Sequence, residues 1–197
     1  MKIVFATHNN HKLKEVRAFL PSHIEVISLN ELGCFEAIEE TANTLEGNAQ
    51  IKADFVYEKY GIACFADDTG LEVKALDGAP GVYSARFAGE NATDKENRKK
   101  ILKQMLHKTD TSAQFRTVIA LRLSKKEIHF FEGICEGEIL NNEQGENGFG
   151  YDSIFMPKGY DRSFAEMDLN HKNKISHRGK AIRLLSDYFI NHCNELI

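Results

Sequence analysis

Two adjacent carboxylates, Asp67 and Asp68, follow the uniformly apolar run 62–66 and lead into Thr69-Gly70. Placed side by side they repel, which costs stability unless a cation or a hydrogen-bond donor offsets it. A hard divalent metal would do so, because Mg2+ takes oxygen from one or two carboxylates together with substrate phosphates. A carboxylate left over can then orient or deprotonate a water. The plainer alternative is an acidic turn closing a strand. Glu39-Glu40 is a second acidic pair, suited either to completing a metal site or to a solvated loop.

Cations and phosphate-compatible backbone complement these acids. The turn Thr7-His8-Asn9-Asn10-His11-Lys12 joins the apolar run 3–6 to a helical stripe at Leu13, Val16 and Leu20. It offers free backbone N–H groups, hydroxyl and amide side chains and a cation at a helix N-terminus, a composition suited to a polyphosphate and also to an ordinary polar cap. Leu45, Ala49, Lys52 and Val56 follow core-facing helical spacing, so the Lys52 ammonium must snorkel or meet anions. Ser176-His177-Arg178 places cations in the first turn of a helix, where the dipole opposes them and an anion would compensate. Lys172 and Lys174 add positive charge nearby in sequence. Gly148-Phe149-Gly150-Tyr151-Asp152 combines flexible backbone, two aromatics and an acceptor, a set fit for stacking on a base and reading it. No G-x-x-x-x-G-K-[ST] motif occurs, and the order of Gly145, Gly148 and Gly150 does not match the dinucleotide fingerprint, which excludes P-loop and Rossmann enzymes.

The elements that must carry these groups alternate between strand and helix. Runs 3–6, 24–27, 62–66 and 153–156 read as short strands, and 71–76 as extended. The segment 28–43 reads as loop with at most a turn of helix. A helix spans 44–60, with Thr44 as N-cap and Gly61 as C-terminal residue. Thr93-Asp94-Lys95-Glu96 is a capping box opening a helix to about residue 107. Runs 114–123 and 127–139 form an antiparallel hairpin, 141–150 a loop, and a last helix from Ser176 shows the stripe Ala181, Leu185, Tyr188, Phe189 and Leu196. The pattern is one α/β unit with a mixed sheet.

Composition narrows the function classes. With 42% hydrophobic and 27% charged residues, the 197-residue chain fits neither disordered nor fibrous classes. No apolar run approaches the roughly 20 residues of a membrane span, and no signal peptide is evident, so a cytoplasmic protein without a membrane partner is expected. A net charge of −4 offers no general attraction to nucleic acid. Lys95, Arg98, Lys99, Lys100 and Lys103, opposite Ile101, Leu102 and Leu106, read as a solvated helix face. Cys34, Cys64, Cys135 and Cys193 lack C-x-x-C spacing and read as reduced, mostly buried thiols.

Seven blocks in one order resemble the inosine/xanthosine triphosphate pyrophosphatase family across nearly the whole chain: Ala6-Thr7-His8-Asn9 with Lys12, Glu39-Glu40-Thr41, 48–52, 66–71, 78–86, 148–152 and 175–179. The resemblance implies an elongated two-lobed α/β fold, ITPase-like, with a mixed twisted central sheet flanked by helices. It also implies a single domain over 1–197, a cleft between the lobes, and a homodimer. The implied reaction is hydrolysis of deaminated purine nucleoside triphosphates (ITP, dITP, XTP) to the monophosphate and pyrophosphate, with Mg2+. By matched position, Thr7, Asn9, Lys12 and Lys52 would hold the triphosphate, with His8, Asn10 and His11 also in the substrate-binding turn. Asp68 would be the catalytic carboxylate, and Glu40, together with Glu39, Asp68 and also Asp67, would hold the metal. Thr69 would contact substrate, and Phe149, Gly150, Tyr151, Asp152, Lys172, His177 and Arg178 would surround base and sugar. His8 stands where the family commonly has glycine, Thr69 where serine is common and Ser153 where proline is common. A pyrophosphatase for modified pyrimidine nucleotides and a non-catalytic nucleotide sensor are the rival readings.

Overall fold

The computed structural model describes residues 2–21 and 23–192. The strands are β1 (Lys2–Phe5), β2 (Glu25–Ser28), β3 (Cys64–Val73), β4 (Pro80–Gly81), β5 (Ser112–Ser124), β6 (Glu127–Ile139) and β7 (Phe155–Pro157). The α-helices are α1 (Asn10–Arg17), α2 (Leu29–Leu32), α3 (Leu45–Tyr60), α4 (Asp94–Met105), α5 (Leu169–Ile175) and α6 (His177–Asn191). The sheet runs β2-β1-β3-β5-β6-β7, with β4 paired to β3. β1 is parallel to β2 and β3, while β3–β4 and β6–β7 are antiparallel, so the sheet is mixed and helix-flanked, as expected.

The chain divides into two compact units, one of Met1–Asp68, Thr117–Gly133 and Arg178–Ile197, the other of Thr69–Arg116 and Ile134–His177. In the first, strand alternation sorts the core into two layers. Ile3, Phe5, Phe65, Ile119 and Leu121 pack with Leu13 and Val16 of α1 and Ala181, Ile182, Leu185 and Phe189 of α6. The intervening Val4, Ala6, Cys64, Ala66 and Ala120 pack with Ala49, Ala53 and Val56 of α3. Rings fill one side, where Phe5 and Phe65 stack at 4.6 Å, and small side chains on the other let α3 lie close to the sheet. The second unit gathers Leu71, Val73, Ile101, Phe115, Ile139, Ile154, Phe155 and Phe164 into its own core.

Several boundaries depart from the sequence reading. β3 does not stop at residue 66 but continues through Asp67-Asp68-Thr69-Gly70 to Val73, so the acidic pair lies within a strand and not in a turn closing one. Gly70 permits this because β4 passes so near that a Cβ there would lie 2.7 Å from the Gly81 carbonyl oxygen. Residues 74–76 and 152–154 form 3-10 turns, which trims the runs 71–76 and 153–156. The helix α5 was not anticipated, and Leu106, assigned to the apolar side of α4, is 63% exposed just past its end. The caps of α3 are as expected: Thr44 accepts from Gly47 N at 3.1 Å and Gly61 is left-handed at φ 63°. Cys34, Cys64 and Cys135 are buried, reduced thiols, as expected; Cys193 and Leu196 lie outside the described residues. Among the described residues no helix is long and apolar enough to cross a membrane.

One surface network makes a testable statement about stability. Glu31 caps α2 through the Ser28 N–H at 2.7 Å and takes both bonds from Arg17 Nη2, and these donors, backbone first, lower its pKa from 4.5 to about 2. A depressed carboxylate contributes stability that is fully present above its unfolded value and is lost as pH falls through the folded one. Glu31→Gln therefore lowers Tm at pH 7, and its difference from the wild type shrinks between about pH 4.5 and about pH 2. Thermal melts across that window check this; a constant difference would contradict it.

Candidate active site

The two aspartates owe their separate environments to the pleat of β3. Successive side chains of a strand point to opposite faces. Asp67 shares the parity of Phe65 and meets α1 and α6, whereas Asp68 shares the parity of Ala66 and meets α3.

Asp67 is 2% exposed. Its Oδ1 accepts from Lys12 Nζ at 2.8 Å and its Oδ2 from Arg178 Nε at 3.1 Å; Arg178 Nη1 in turn donates to the buried carboxylate of Glu15. The result is a row of alternating charge, Lys12, Asp67, Arg178, Glu15. Burial alone would raise the Asp67 pKa, but Lys12 and Arg178 outweigh it and hold the group well below the usual carboxylate range. Arg178 is likewise held above its ordinary value: burial opposes the charge and Glu15 and Asp67 overcome it. Burial brings Lys12 down, with Lys52 and Arg178 adding to the effect and Asp67 opposing it.

Asp68 has a different balance. Its Oδ2 accepts from Asn48 Nδ2 at 3.1 Å, and its Oδ1 lies 3.5 Å from Lys52 Nζ, which bonds Glu40 Oε1 more closely at 2.6 Å. Burial raises the Asp68 pKa and Glu40 adds to it, while Lys52, Lys12 and Asn48 fall short of reversing the shift. Lys52 is pushed upward: burial would lower it, but Asp68 and Glu40 prevail. The inward-facing lysine expected from the α3 stripe is thus present with anionic partners. Asn48 also accepts from Ala42 N at 2.9 Å, fastening the segment that carries Glu40. Glu39 is exposed.

In the turn before α1, Asn9 N donates to Thr7 Oγ1 at 3.1 Å, and Asn9 Oδ1 accepts from His11 N at 2.9 Å and Lys12 N at 3.1 Å. The expectation of free amides at these three positions is therefore corrected: the side chains of Thr7 and Asn9 engage them and fix the turn. Asn10 and His11 are exposed on the first turn of the helix. The His8 ring reaches Asn30 Oδ1 at 2.9 Å and the Glu36 carbonyl at 3.0 Å, linking this turn to α2 and to the segment after it.

The second unit holds the remaining predicted residues. Asp152 Oδ2 accepts from Phe149 N at 2.9 Å and from Lys172 Nζ at 2.7 Å; Lys172, 4% exposed, also lies 5.0 Å from the Phe149 ring centroid. Gly148, at φ 77°, is required here because a Cβ would sit 2.1 Å from Asp152 Oδ2. Tyr151 is buried with its hydroxyl donating to Ser84 O at 2.7 Å, and Gly150 forms the next left-handed turn at φ 60°. His177 is 3% exposed and stacks on Phe115 at 4.5 Å. Thr69, half-buried, follows Asp68 in β3.

Sequence reasoning missed two members of the acid-base set. Glu15 stands three residues after Lys12, the spacing of neighbours on one helix face, and that was its available signal. Asn48 lay within a recognised block, but nothing local marks an amide that holds a carboxylate 20 residues away.

Comparison with known proteins gives a consistent result. Residues 3–188 match the model of the Ham1 family. The chain is 55% identical over 188 residues to the dITP/XTP pyrophosphatase of Christiangramia forsetii, covering 95% of this chain and 98% of that one. It is 52% identical over 191 residues to the dITP/XTP pyrophosphatase of Flavobacterium psychrophilum, covering 97% and 100%. Among solved structures, the Staphylococcus aureus Ham1 protein superposes with TM-score 0.89 at 40% identity, covering 98% of this chain and all of that one. A HAM1 protein from Coxiella burnetii gives 0.90 at 41%, covering 97% and 99%.

Proposed function

We propose, from the premise that this chain belongs to the Ham1 family, that it hydrolyses ITP, dITP and XTP to the nucleoside monophosphate and pyrophosphate. The observation carrying this reading is the contrast on β3: Asp67 is locked as an anion between two cations, whereas the neighbouring Asp68 is buried with a raised pKa. A carboxylate of the second kind is suited to take a proton from water. Asp68 accordingly orients and deprotonates the water that attacks the α-phosphate. Lys52 and Lys12 exchange carboxylate partners for phosphate oxygens and offset the charge that develops on departing pyrophosphate. Thr7 and Asn9 hold the turn in shape for the triphosphate, with His8, Asn10 and His11 as its remaining residues.

The donor set suits Mg2+. Asp68 and Glu40 present carboxylate oxygens to the same ammonium group, and among the described residues no three His, Cys, Asp or Glu side chains are grouped to hold a metal ion. Two carboxylates completed by phosphate oxygens are the usual arrangement for this ion. Asp68 and Glu40, with Glu39 as a further carboxylate, would hold it, and bound there it would neutralise charge on the phosphate oxygens.

In the same reading Thr69 contacts the substrate, Phe149 stacks on the base, and Gly150, Tyr151, Asp152, Lys172, His177 and Arg178 surround base and sugar. A donor aimed at the purine 6-keto oxygen loses its partner when adenine enters, at about 1–3 kcal/mol, so ATP should react roughly 10- to 100-fold less efficiently than ITP. GTP shares that oxygen and is rejected at the 2-position. The enzyme works as a cytoplasmic homodimer. The test supplies ITP, dITP, XTP, GTP and ATP with Mg2+ and measures pyrophosphate against orthophosphate. Pyrophosphate in equal amount to monophosphate, fastest with ITP, dITP and XTP, is expected; orthophosphate as the main product, or equal rates with ATP, would contradict the assignment.

A further inference from the structure

We propose that Asp94 and Arg98 of α4 are positioning residues for base selection: together they clamp Gly150 and so fix the ring of Phe149. Asp94 Oδ2 accepts from Gly150 N at 2.7 Å, and Arg98 Nη1 donates to Gly150 O at 2.7 Å. One residue of the loop is thus gripped at both of its backbone polar groups by side chains one helical turn apart, the spacing that brings them to the same face. The same guanidinium reaches back along the loop, with Nε donating to Glu143 Oε2 at 2.8 Å, and Glu143 also accepts from Ser153 Oγ at 3.2 Å. Arg98 therefore ties the beginning of the loop to its end, a task for a planar fork with several fixed donors. Its side chain is 17% exposed, so α4 is not the wholly solvated basic face that its charge pattern suggests.

This placement affects Phe149 directly. Its own N–H is held by Asp152 and the following residue by α4, which leaves the backbone on either side of the side chain little freedom. A stacking ring selects between bases only if its position is set before the base arrives. Gly150 has a left-handed φ of 60° and no side chain of its own, so partners supplied by another element determine where it sits.

The inference rests on the assignment of Phe149 to the base, and the experiment separates the two. Steady-state kinetics with ITP and ATP, and thermal melts, are measured for wild type, Arg98→Met, Arg98→Lys, Asp94→Asn and, as a control on the exposed side of α4, Lys99→Ala. For Arg98→Met the KM for ITP should rise about 10-fold with kcat within about 2-fold, and the preference for ITP over ATP should fall about 10-fold. Asp94→Asn should move the same quantities less. Arg98→Lys should recover part of the loss, since an ammonium keeps the charge and the donors but not the fixed fork of the guanidinium. Lys99→Ala should match the wild type. If the wild type prefers ITP and Arg98→Met keeps both KM and preference, whatever happens to Tm, the clamp is overturned while the base assignment stands. A wild type with no base preference overturns the assignment and, with it, this role.

Discussion

Asp68→Asn is expected to lower kcat for dITP by about 10^3-fold, the contribution typical of a positioned general base, while changing folding stability by no more than about 1 kcal/mol. The substitution keeps the shape, and its amide oxygen can still accept from Asn48 Nδ2, now at 3.1 Å from Asp68 Oδ2. Lys52 keeps its shorter contact with Glu40 at 2.6 Å and loses only the 3.5 Å one. Burial already disfavours the ionised form of Asp68, so a neutral replacement relieves a desolvation cost while removing the base. Turnover and thermal melts of the purified variant check both halves. A folded variant retaining full kcat would remove Asp68 from the chemistry.

The neighbouring residue should behave in the opposite sense. Asp67→Ala removes the carboxylate shared by Lys12 and Arg178, leaving two cations in surroundings where Asp67 was 2% and Arg178 3% exposed. Removing one partner from a buried ion pair costs about 3–5 kcal/mol, because the surviving charge stays desolvated. For a chain of this size that corresponds to roughly 6–20 °C in Tm. Glu15 would still hold Arg178, which places the expectation at the lower part of that range. Thermal or urea unfolding measures it directly, and a variant within 1 kcal/mol of the wild type would show that the charge row is not what holds this part of the unit. Two side chains adjacent in sequence thus have separate consequences, one for rate and one for stability, since the pleat sends them to different helices.

The residue types at the site were legible because their chemistry is unusual for their position. A lysine on the core-facing stripe of α3 implied anionic partners, and Glu40 and Asp68 are those partners. Thr44 and Gly61 marked the ends of that helix through local capping chemistry. The pairing of Arg178 with Glu15 was not legible, because it joins positions 163 residues apart and no local preference encodes it. The continuation of β3 was also hidden: an apolar run ends in sequence at Asp67, but a strand whose acids are matched by Lys12, Arg178, Asn48 and Lys52 need not end there. Arg98 was expected on a solvated face of α4 but its side chain is 17% exposed, because what covers that face is a loop some 50 residues later, which no local pattern encodes. α5 lacks an apolar stripe, reading Leu-Asn-His-Lys-Asn-Lys-Ile, so periodicity could not reveal it.

Isotope transfer from solvent tests the proposed reaction most directly. When dITP is hydrolysed in H2(18)O with Mg2+, attack of water on the α-phosphorus places the heavy oxygen in the nucleoside monophosphate and leaves the pyrophosphate unlabelled, which mass spectrometry of the two products should find. Label in the pyrophosphate, or release of labelled orthophosphate, would mean that water enters at another phosphorus and would contradict the role assigned to Asp68.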